Sequence, residues 1–227
     1  MAASSLSAQP MHDLRHYIET RNDVYEFRWV CTSDTIDTDI SADQEVVYLI
    51  DGFWIMTREV TEDLKEWYLH LRNDASTMPL TDVTLDDALS LCKAISSPAR
   101  QYTIPTRDQW LLAYHGGIAS EGYSYSGSNN PSYVGWTKEN SGGRLHKGGE
   151  RIPNELGLYD MTGNVAELVY DGTATAYIGG SYLDAASSLV ALPSNQTPPP
   201  QVCGLRLVLH EPLWFNKDSE RIFHLKQ

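Results

Sequence analysis

The sequence predicts an α+β domain built from two or three helices, short antiparallel sheets and a large share of irregular loop. Three observations carry this. Apolar residues recur at helical spacing after Thr61, Thr84 and Thr106, short runs of β-branched and aromatic residues lie between them, and the stretch from Tyr123 to Arg151 is rich in Gly, Ser and Asn and almost without aliphatic residues. A chain of 227 residues with 41% hydrophobic content, 16 Gly and 11 Pro can bury one substantial core, so one domain is expected.

In chain order, His12 to Glu19 suits a short helix that sets His12, His16 and Glu19 on one face. The spacing invites a metal reading beside the plainer one of a surface helix with satisfied imidazoles. Tyr25 to Cys31 alternates aromatic and polar residues as a strand does, and Thr32 to Asp43 reads as an acidic loop. Val46 to Ile50 and Phe53 to Met56 are strands separated by Asp51-Gly52, a hairpin-like signal. Thr61 is a reasonable N-cap for a helix whose stripe is Leu64, Trp67, Tyr68 and Leu71.

Thr84 and Asp87 have the form of a short capping box, Leu85, Ala88, Leu91, Cys92 and Ile95 form the buried face behind it, and Ser96-Ser97-Pro98 ends the helix. Pro105 closes the next strand. Thr106 and Gln109 have capping-box spacing, Trp110, Leu111 and Tyr114 pack inward, and Gly116-Gly117 ends the third helix. Tyr123 to Arg151 reads as one long irregular loop, of a kind that is uncommon unless it is functional or pinned by an ion. Pro193, Pro198, Pro199 and Pro200 break any regular ladder between Leu183 and Val202.

The formal net charge of −13 argues against nucleic acid or an anionic membrane surface as partner, and it suits oxygen-ligated cations. Met1 to Pro10 has neither a basic n-region nor an apolar h-region, and no run approaches the length of a membrane helix. The expectation is a protein without membrane insertion, either cytoplasmic or associated with a cell or virion surface by a route other than a cleaved signal. Cys31, Cys92 and Cys203 are odd in number and far apart, which fits reduced buried thiols better than a disulfide framework or a zinc site.

Within Asn154 to Val169, Asp160 and Glu167 stand at the two ends of a segment that can wrap. The carbonyls of Met161, Gly163 and Val165 can then turn to one centre, and two carboxylates with several carbonyls suit Ca²⁺ better than Mg²⁺. The other reading is a turn capped by Asn164, with the carboxylates solvated or paired with Arg151 or Arg206. Elsewhere His115, His146, His210 and His224 are scattered without a triad order, and Asp86-Asp87 and Glu62-Asp63 lie in helix first turns, where they complement the macrodipole.

Several motifs resemble the formylglycine-generating enzyme and sulfatase-modifying-factor family. They are Glu59-Val60-Thr61, Tyr102 to Trp110, Tyr125 to Arg144, the Gly157-Leu158-Tyr159-Asp160 and Gly163-Asn164-Val165 of the central stretch, Gly179-Gly180-Ser181-Tyr182, and the closing Cys203 to Leu209. They run in family order from about Val46 to Leu209. The resemblance implies a C-type-lectin-like fold and domain boundaries of 1–44 for a leading helix and strand, 45–210 for the domain and 211–227 for a tail of no clear type. It also implies structural calcium at Asp160, Met161, Gly163, Val165 and Glu167. Ala166 and Leu168 stand where the family has tryptophans.

Family members that make formylglycine use a copper ion held by two cysteines. The matching positions here are Asp184 and Leu189, and a hard carboxylate with an alkyl group cannot replace two soft thiolates. The resemblance therefore implies no copper and no catalysis. It points to a display surface, as in the variable proteins of diversity-generating retroelements, which join this fold to a hypervariable segment. The expected surface is Tyr170, Asp171, Thr173, Tyr177, Tyr182, Asp184, Ser187, Ser188, Asn195 and Gln196, a composition similar to that of paratopes, with a protein or other macromolecule as ligand. An oxidoreductase with an altered metal site and a pseudo-enzyme scaffold subunit are the alternatives.

Overall fold

A computed structural model describes residues 16–19, 24–31, 37–40, 46–50, 52–68, 76–98, 100–189, 198–210, 213–216 and 221–224. Strands β1 (His16–Glu19), β2 (Val24–Cys31), β3 (Asp37–Ile40), β4 (Val46–Ile50) and β5 (Gly52–Met56) come first. Helices α1 (Glu62–Tyr68) and α2 (Leu85–Ile95), strand β6 (Gln101–Thr103) and helix α3 (Arg107–Tyr114) follow. The second half holds a single turn α4 (Pro131–Val134), the short strands β7 (Gly135–Trp136) and β8 (Thr162–Gly163), and the antiparallel pair β9 (Ala166–Tyr170) and β10 (Thr175–Ile178). A single turn α5 (Ala186–Leu189) and strands β11 (Cys203–Gly204), β12 (Val208–His210), β13 (Leu213–Asn216) and β14 (Arg221–His224) complete it.

The central sheet has the order β1-β2-β5-β12-β6, and smaller sheets are β10-β9-β11, β14-β13-β4-β3 and β7-β8. Side chains on a strand alternate between faces, and β5 uses both faces for burial. Trp54 and Met56 enter a cluster with Tyr25, Phe27, Leu91 and Leu207, whereas Phe53 and Ile55 enter a second one with Trp110, Tyr114, Leu158 and Val169. Helix α2 supplies Ala88, Leu91, Cys92 and Ile95 to the first cluster, and α3 supplies Trp110, Ala113 and Tyr114 to the second. A sheet covered on both faces is why Phe53 to Met56 is a continuous apolar run rather than an alternating one.

Both capping boxes form as the sequence predicts, at Thr84 with Asp87 and at Thr106 with Gln109. Thr61 accepts from the Leu64 N–H at the start of α1. Gly116 ends α3 in the left-handed region at φ 85°.

Several expectations are corrected. Residues 16–19 are strand rather than helix, and His12 lies outside the described residues; a strand does not bring positions three apart to one face, so the helical metal spacing has no basis there. Residues 37–40 are strand rather than loop. The Asp51-Gly52 step is not a hairpin: β4 pairs with β3 and β13, while β5 pairs with β2 and β12. A Cβ at Gly52 would stand 2.5 Å from the Trp29 ring, so glycine lets the chain pass closely where it changes sheet. Strand β2, ahead of the predicted boundary at 45, lies inside the central sheet, and the tail contributes β13 and β14. Among the described residues no helix is long and apolar enough to cross a membrane.

Candidate functional site

The central motif is anchored by Asn154, a buried side chain that serves two segments at once. Its amide donates to the Ala113 carbonyl at 2.8 Å and to Ser126 Oγ at 3.0 Å, while its Oδ1 accepts from the Leu156 and Leu158 N–H groups at 3.0 and 3.1 Å. This ties the end of α3 to the turn that delivers Asp160. Asp160 and Asn164 both adopt the left-handed region, at φ 55° and 58°, and these are residue types that tolerate it.

Four charged side chains meet behind that turn: Glu59, Asp160, Glu167 and Arg206, exposed by 1%, 2%, 1% and 0% respectively. Arg206 Nη2 donates to Glu167 Oε1 at 2.7 Å and Nε donates to Oε2 at 3.0 Å. The rest of its fork reaches the Met56 and Tyr159 carbonyls, each at 2.8 Å. Trp110 Nε1 also donates to Glu167 Oε2 at 2.6 Å. Arg206 sits where the chain crosses from β11 to β12. The closing strand expected over Cys203 to Leu209 is thus two strands in different sheets. Burial opposes the guanidinium charge, but the Glu167 carboxylate outweighs it and holds Arg206 above its ordinary range.

The other two acids lack such a partner. Glu59 Oε1 accepts from Asn164 Nδ2 at 2.9 Å, and Asp160 Oδ2 accepts from the Gly149 N–H at 2.6 Å. Glu59 Oε2 and Asp160 Oδ1 are buried with no hydrogen-bond partner. Burial, with the Asp160 charge next in size, pushes Glu59 up to about 8, and burial pushes Asp160 up to about 6 against the opposing Gly149 N–H.

The calcium set predicted from sequence includes Glu167. Its carboxylate faces Arg206 and Trp110, so the set Asp160, Met161, Gly163, Val165 and Glu167 does not present two free carboxylates to a common centre. The Gly163 N–H and the Asn164 N–H are used to bind the Gly179 and Trp136 carbonyls, which knits β8 to its neighbours. Asp160 alone of the pair keeps an unpartnered oxygen. The sequence reading missed Glu59, which is brought to this place from 105 residues away by its bond to Asn164. Arg151, the other predicted cationic partner, lies over the Trp136 ring at 3.5 Å, and His146 stacks on the same ring at 3.6 Å.

Asp184 and Leu189, which the sequence resemblance sets against the copper-binding cysteines, each make a structural contact. Asp184 Oδ2 accepts from the Ser181 N–H at 2.8 Å and the Ser181 hydroxyl at 2.7 Å, which closes a turn after the glycine pair. Leu189 is buried against Gly180, where any Cβ would collide with the Leu189 side chain. Neither position offers a sulfur, and Cys203 is engaged with the Pro198 and Pro199 carbonyls at the far end of the segment.

The predicted ligand surface divides in two. Tyr170, Asp171 and Thr173 lie at the β9–β10 turn, where Asp171 Oδ1 accepts from the Thr173 and Ala174 N–H groups at 2.9 and 2.8 Å. Tyr182, Asp184, Ser187 and Ser188 lie beyond the other end of β10, about 13 Å of strand away. Tyr177 is spoken for, since its hydroxyl donates to the Val83 carbonyl at 2.6 Å. Asn195 and Gln196 lie outside the described residues.

The second group is held through its main chain. The Ser141 hydroxyl donates to the Tyr182 carbonyl at 2.9 Å, the Lys138 N–H to the Asp184 carbonyl at 2.9 Å and the Tyr125 hydroxyl to the Ala186 carbonyl at 3.3 Å. Glu139 Oε2 accepts from the Ala186 N–H at 3.1 Å. Ser187 and Ser188 are exposed, and Leu183 is 41% exposed.

Residues 25–210 match the Sulfatase-modifying factor enzyme 1-like domain. A curated protein of Paenibacillus barcinonensis, described as chaperone protein LppX, is 32% identical over 131 residues, which are 50% of this chain and 46% of that protein. The chain thus spans about half the length of this relative. Among solved structures, Treponema denticola variable protein 1 is similar with a TM-score of 0.67 at 17% identity, covering 86% of this chain and 98% of its own. PvdO from Pseudomonas aeruginosa gives 0.58 at 18% identity over 86% and 97%, and CarF gives 0.57 at 22% over 80% and 96%. At these identities the likeness is one of fold.

Proposed function

The chain belongs to the Sulfatase-modifying factor enzyme 1-like domain family, with the C-type-lectin-like α+β fold of the formylglycine-generating type, and on that premise we propose that it is a ligand-binding protein rather than an oxidase. The observation that carries this reading is the use made of residues 184 and 189. One is a carboxylate closing the Ser181 turn and the other is a buried apolar plug against Gly180. Cu(I) is held by soft thiolates, and neither side chain supplies one. What the fold then offers is a surface of exposed small polar residues on loops, suited to recognition of a protein or another macromolecule. The likeness in fold to a protein named as variable supports the same direction.

Two measurements test it. Titration with Cu(I) and incubation of the protein with a cysteine peptide under oxygen are expected to give neither tight binding nor conversion; stoichiometric binding or oxygen-dependent product would restore the oxidase reading. Sequencing the locus across close relatives is expected to show substitutions concentrated at adenine-derived codons in 183–202. A uniform segment would remove the variable-protein form of the proposal. A constant adaptor subunit is the second reading, favoured by the likeness to a relative named as a chaperone. It predicts one partner whose binding is indifferent to substitutions at Ser187 and Ser188.

A further inference from the structure

The second half of the protein is poor in positive charge, and what it has is gathered on one loop. Between residues 108 and 210 the sequence holds five Lys and Arg, of which four, Lys138, Arg144, Lys147 and Arg151, fall between 138 and 151. The fifth is Arg206, sealed inside against Glu167. Arg151 lies over the Trp136 ring. Lys138, Arg144 and Lys147 are exposed, and among the described residues none of them is in an ion pair. The acids of the same stretch are engaged elsewhere. Glu139 Oε2 accepts from the Thr137 hydroxyl at 2.8 Å and from the Ala186 N–H at 3.1 Å, and Glu150 lies 3.7 Å from His146 Nδ1. A chain of formal net charge −13 thus keeps three unpaired cations together.

The loop that carries them is also the one that holds residues 182–188. The Lys138 N–H donates to the Asp184 carbonyl at 2.9 Å, and the Ser141 hydroxyl donates to the Tyr182 carbonyl at 2.9 Å. His146 closes the loop on itself, with Nε2 2.8 Å from the Ser141 carbonyl; a carbonyl only accepts, so Nε2 is the donor. Arg144 is three residues from Ser141, a span of at most about 11 Å between Cα atoms. Lys147 follows His146 directly. The three cations therefore border the segment on which Leu183, Ser187 and Ser188 are exposed.

Resting on the ligand-binding reading, we propose that Lys138, Arg144 and Lys147 form one interface with Leu183, Ser187 and Ser188, and that its partner presents an acidic segment of protein chain. Complementary charge speeds the encounter and fixes the orientation of docking, while the neutral side chains of the segment discriminate among acidic partners. A long polyanion such as nucleic acid fits less well. Beyond the loop its charge meets a strongly negative protein, and that repulsion acts over about 8 Å at physiological salt. A short acidic segment stays within reach of the cations.

The test uses the full chain with two labelled probes, decaglutamate and a single-stranded oligonucleotide of equal length, read by fluorescence anisotropy at low salt and at about 0.3 M NaCl. Decaglutamate is expected to bind and to weaken at the higher salt. The triple variant Lys138→Gln, Arg144→Gln and Lys147→Gln is expected to bind it about tenfold more weakly, as the loss of three exposed ion pairs requires. Its Tm should match the wild type, because exposed unpaired side chains contribute little to stability. Lys147→Glu alone reverses one charge and is expected to weaken binding in the same direction, while Lys93→Gln, at an exposed cation on α2, keeps wild-type affinity. Carbodiimide coupling of bound decaglutamate should place the isopeptide bonds at Lys138 and Lys147, as read by peptide mass mapping. The proposal is overturned if decaglutamate does not bind, if the triple variant binds it as tightly as the wild type, or if the oligonucleotide binds more tightly than the peptide. None of these results removes the ligand-binding reading itself, which falls only with Cu(I) binding or oxygen-dependent conversion of the cysteine peptide.

Discussion

Arg206 and Glu167 form a two-nitrogen ion pair sealed inside the protein, with Nη2 to Oε1 at 2.7 Å and side-chain exposures of 0% and 1%. The pair joins the crossover between β11 and β12 to strand β9, and Trp110 completes the carboxylate's coordination from α3. Removing one partner strands the other as an uncompensated buried charge. Arg206→Met is therefore expected to cost about 3–5 kcal/mol, measured as the loss of unfolding free energy in urea. The double variant Arg206→Met with Glu167→Gln should recover part of that loss, because it no longer buries a lone charge. A double variant as unstable as Arg206→Met alone would show that shape rather than charge sets the cost.

Glu59 makes stability depend on pH. Its folded pKa is raised from 4.5 to about 8, first by burial and then by Asp160. The folded state thus holds more protons than the unfolded chain between those values. Its contribution is fully present below 4.5 and is lost as pH rises toward 8, on the order of a few kcal/mol in all. The urea midpoint should fall across this window for the wild type and fall less for Glu59→Gln. Equal slopes for the two proteins would remove Glu59 as the source.

Asn154 satisfies backbone groups of α3 and of its own turn simultaneously. Asn154→Ala deletes both sets and leaves buried N–H and carbonyl groups unpaired, at a cost of about 2–4 kcal/mol. Asn154→Asp should be nearly as damaging, since a carboxylate accepts the two N–H groups but cannot donate to the Ala113 carbonyl. Chemical denaturation of both variants checks this.

The cysteines Cys31, Cys92 and Cys203 are all buried. Burial pushes the Cys92 thiol up to about 12 and raises that of Cys203 as well. Little thiolate exists near neutral pH, and iodoacetamide at pH 8 is expected to leave the native protein unmodified while alkylating it fully in guanidinium, as read by intact mass. Rapid native alkylation would place a reactive thiol where the structure has none.

The helices were legible because their instructions are local: Thr84 with Asp87 and Thr106 with Gln109 state their caps within three residues. Positive-φ glycine at the end of α3 is equally local. The candidate site was only partly legible. Asp160 and Glu167 stand out in sequence, yet which acid faces which cation depends on Arg206, 39 residues from Glu167, and on Glu59, 105 residues from the Asn164 that orients it. Sheet membership failed for the same reason. Asp51-Gly52 has hairpin composition, and only the partners supplied by β2, β12 and β13 decide that its flanking strands part company. The one sequence signal for Glu59 is its position directly before Val60-Thr61, and all three of these residues are buried.

The grip on residues 182–188 is blind to their identity. Ser141, Tyr125, Glu139 and Lys138 take hold of carbonyl and amide groups that every amino acid carries, so the loop is registered by its peptide bonds and its outward side chains go unread. Substitutions at Leu183, Ser187 and Ser188 should each change stability by no more than about 0.5 kcal/mol, against a larger loss for Asp184→Ala, whose carboxylate is part of the hold. Thermal scans of a small library at these positions measure it. A fold arranged in this way separates the cost of being folded from the choice of what to recognise, and many different surfaces can be tried on one unchanged frame.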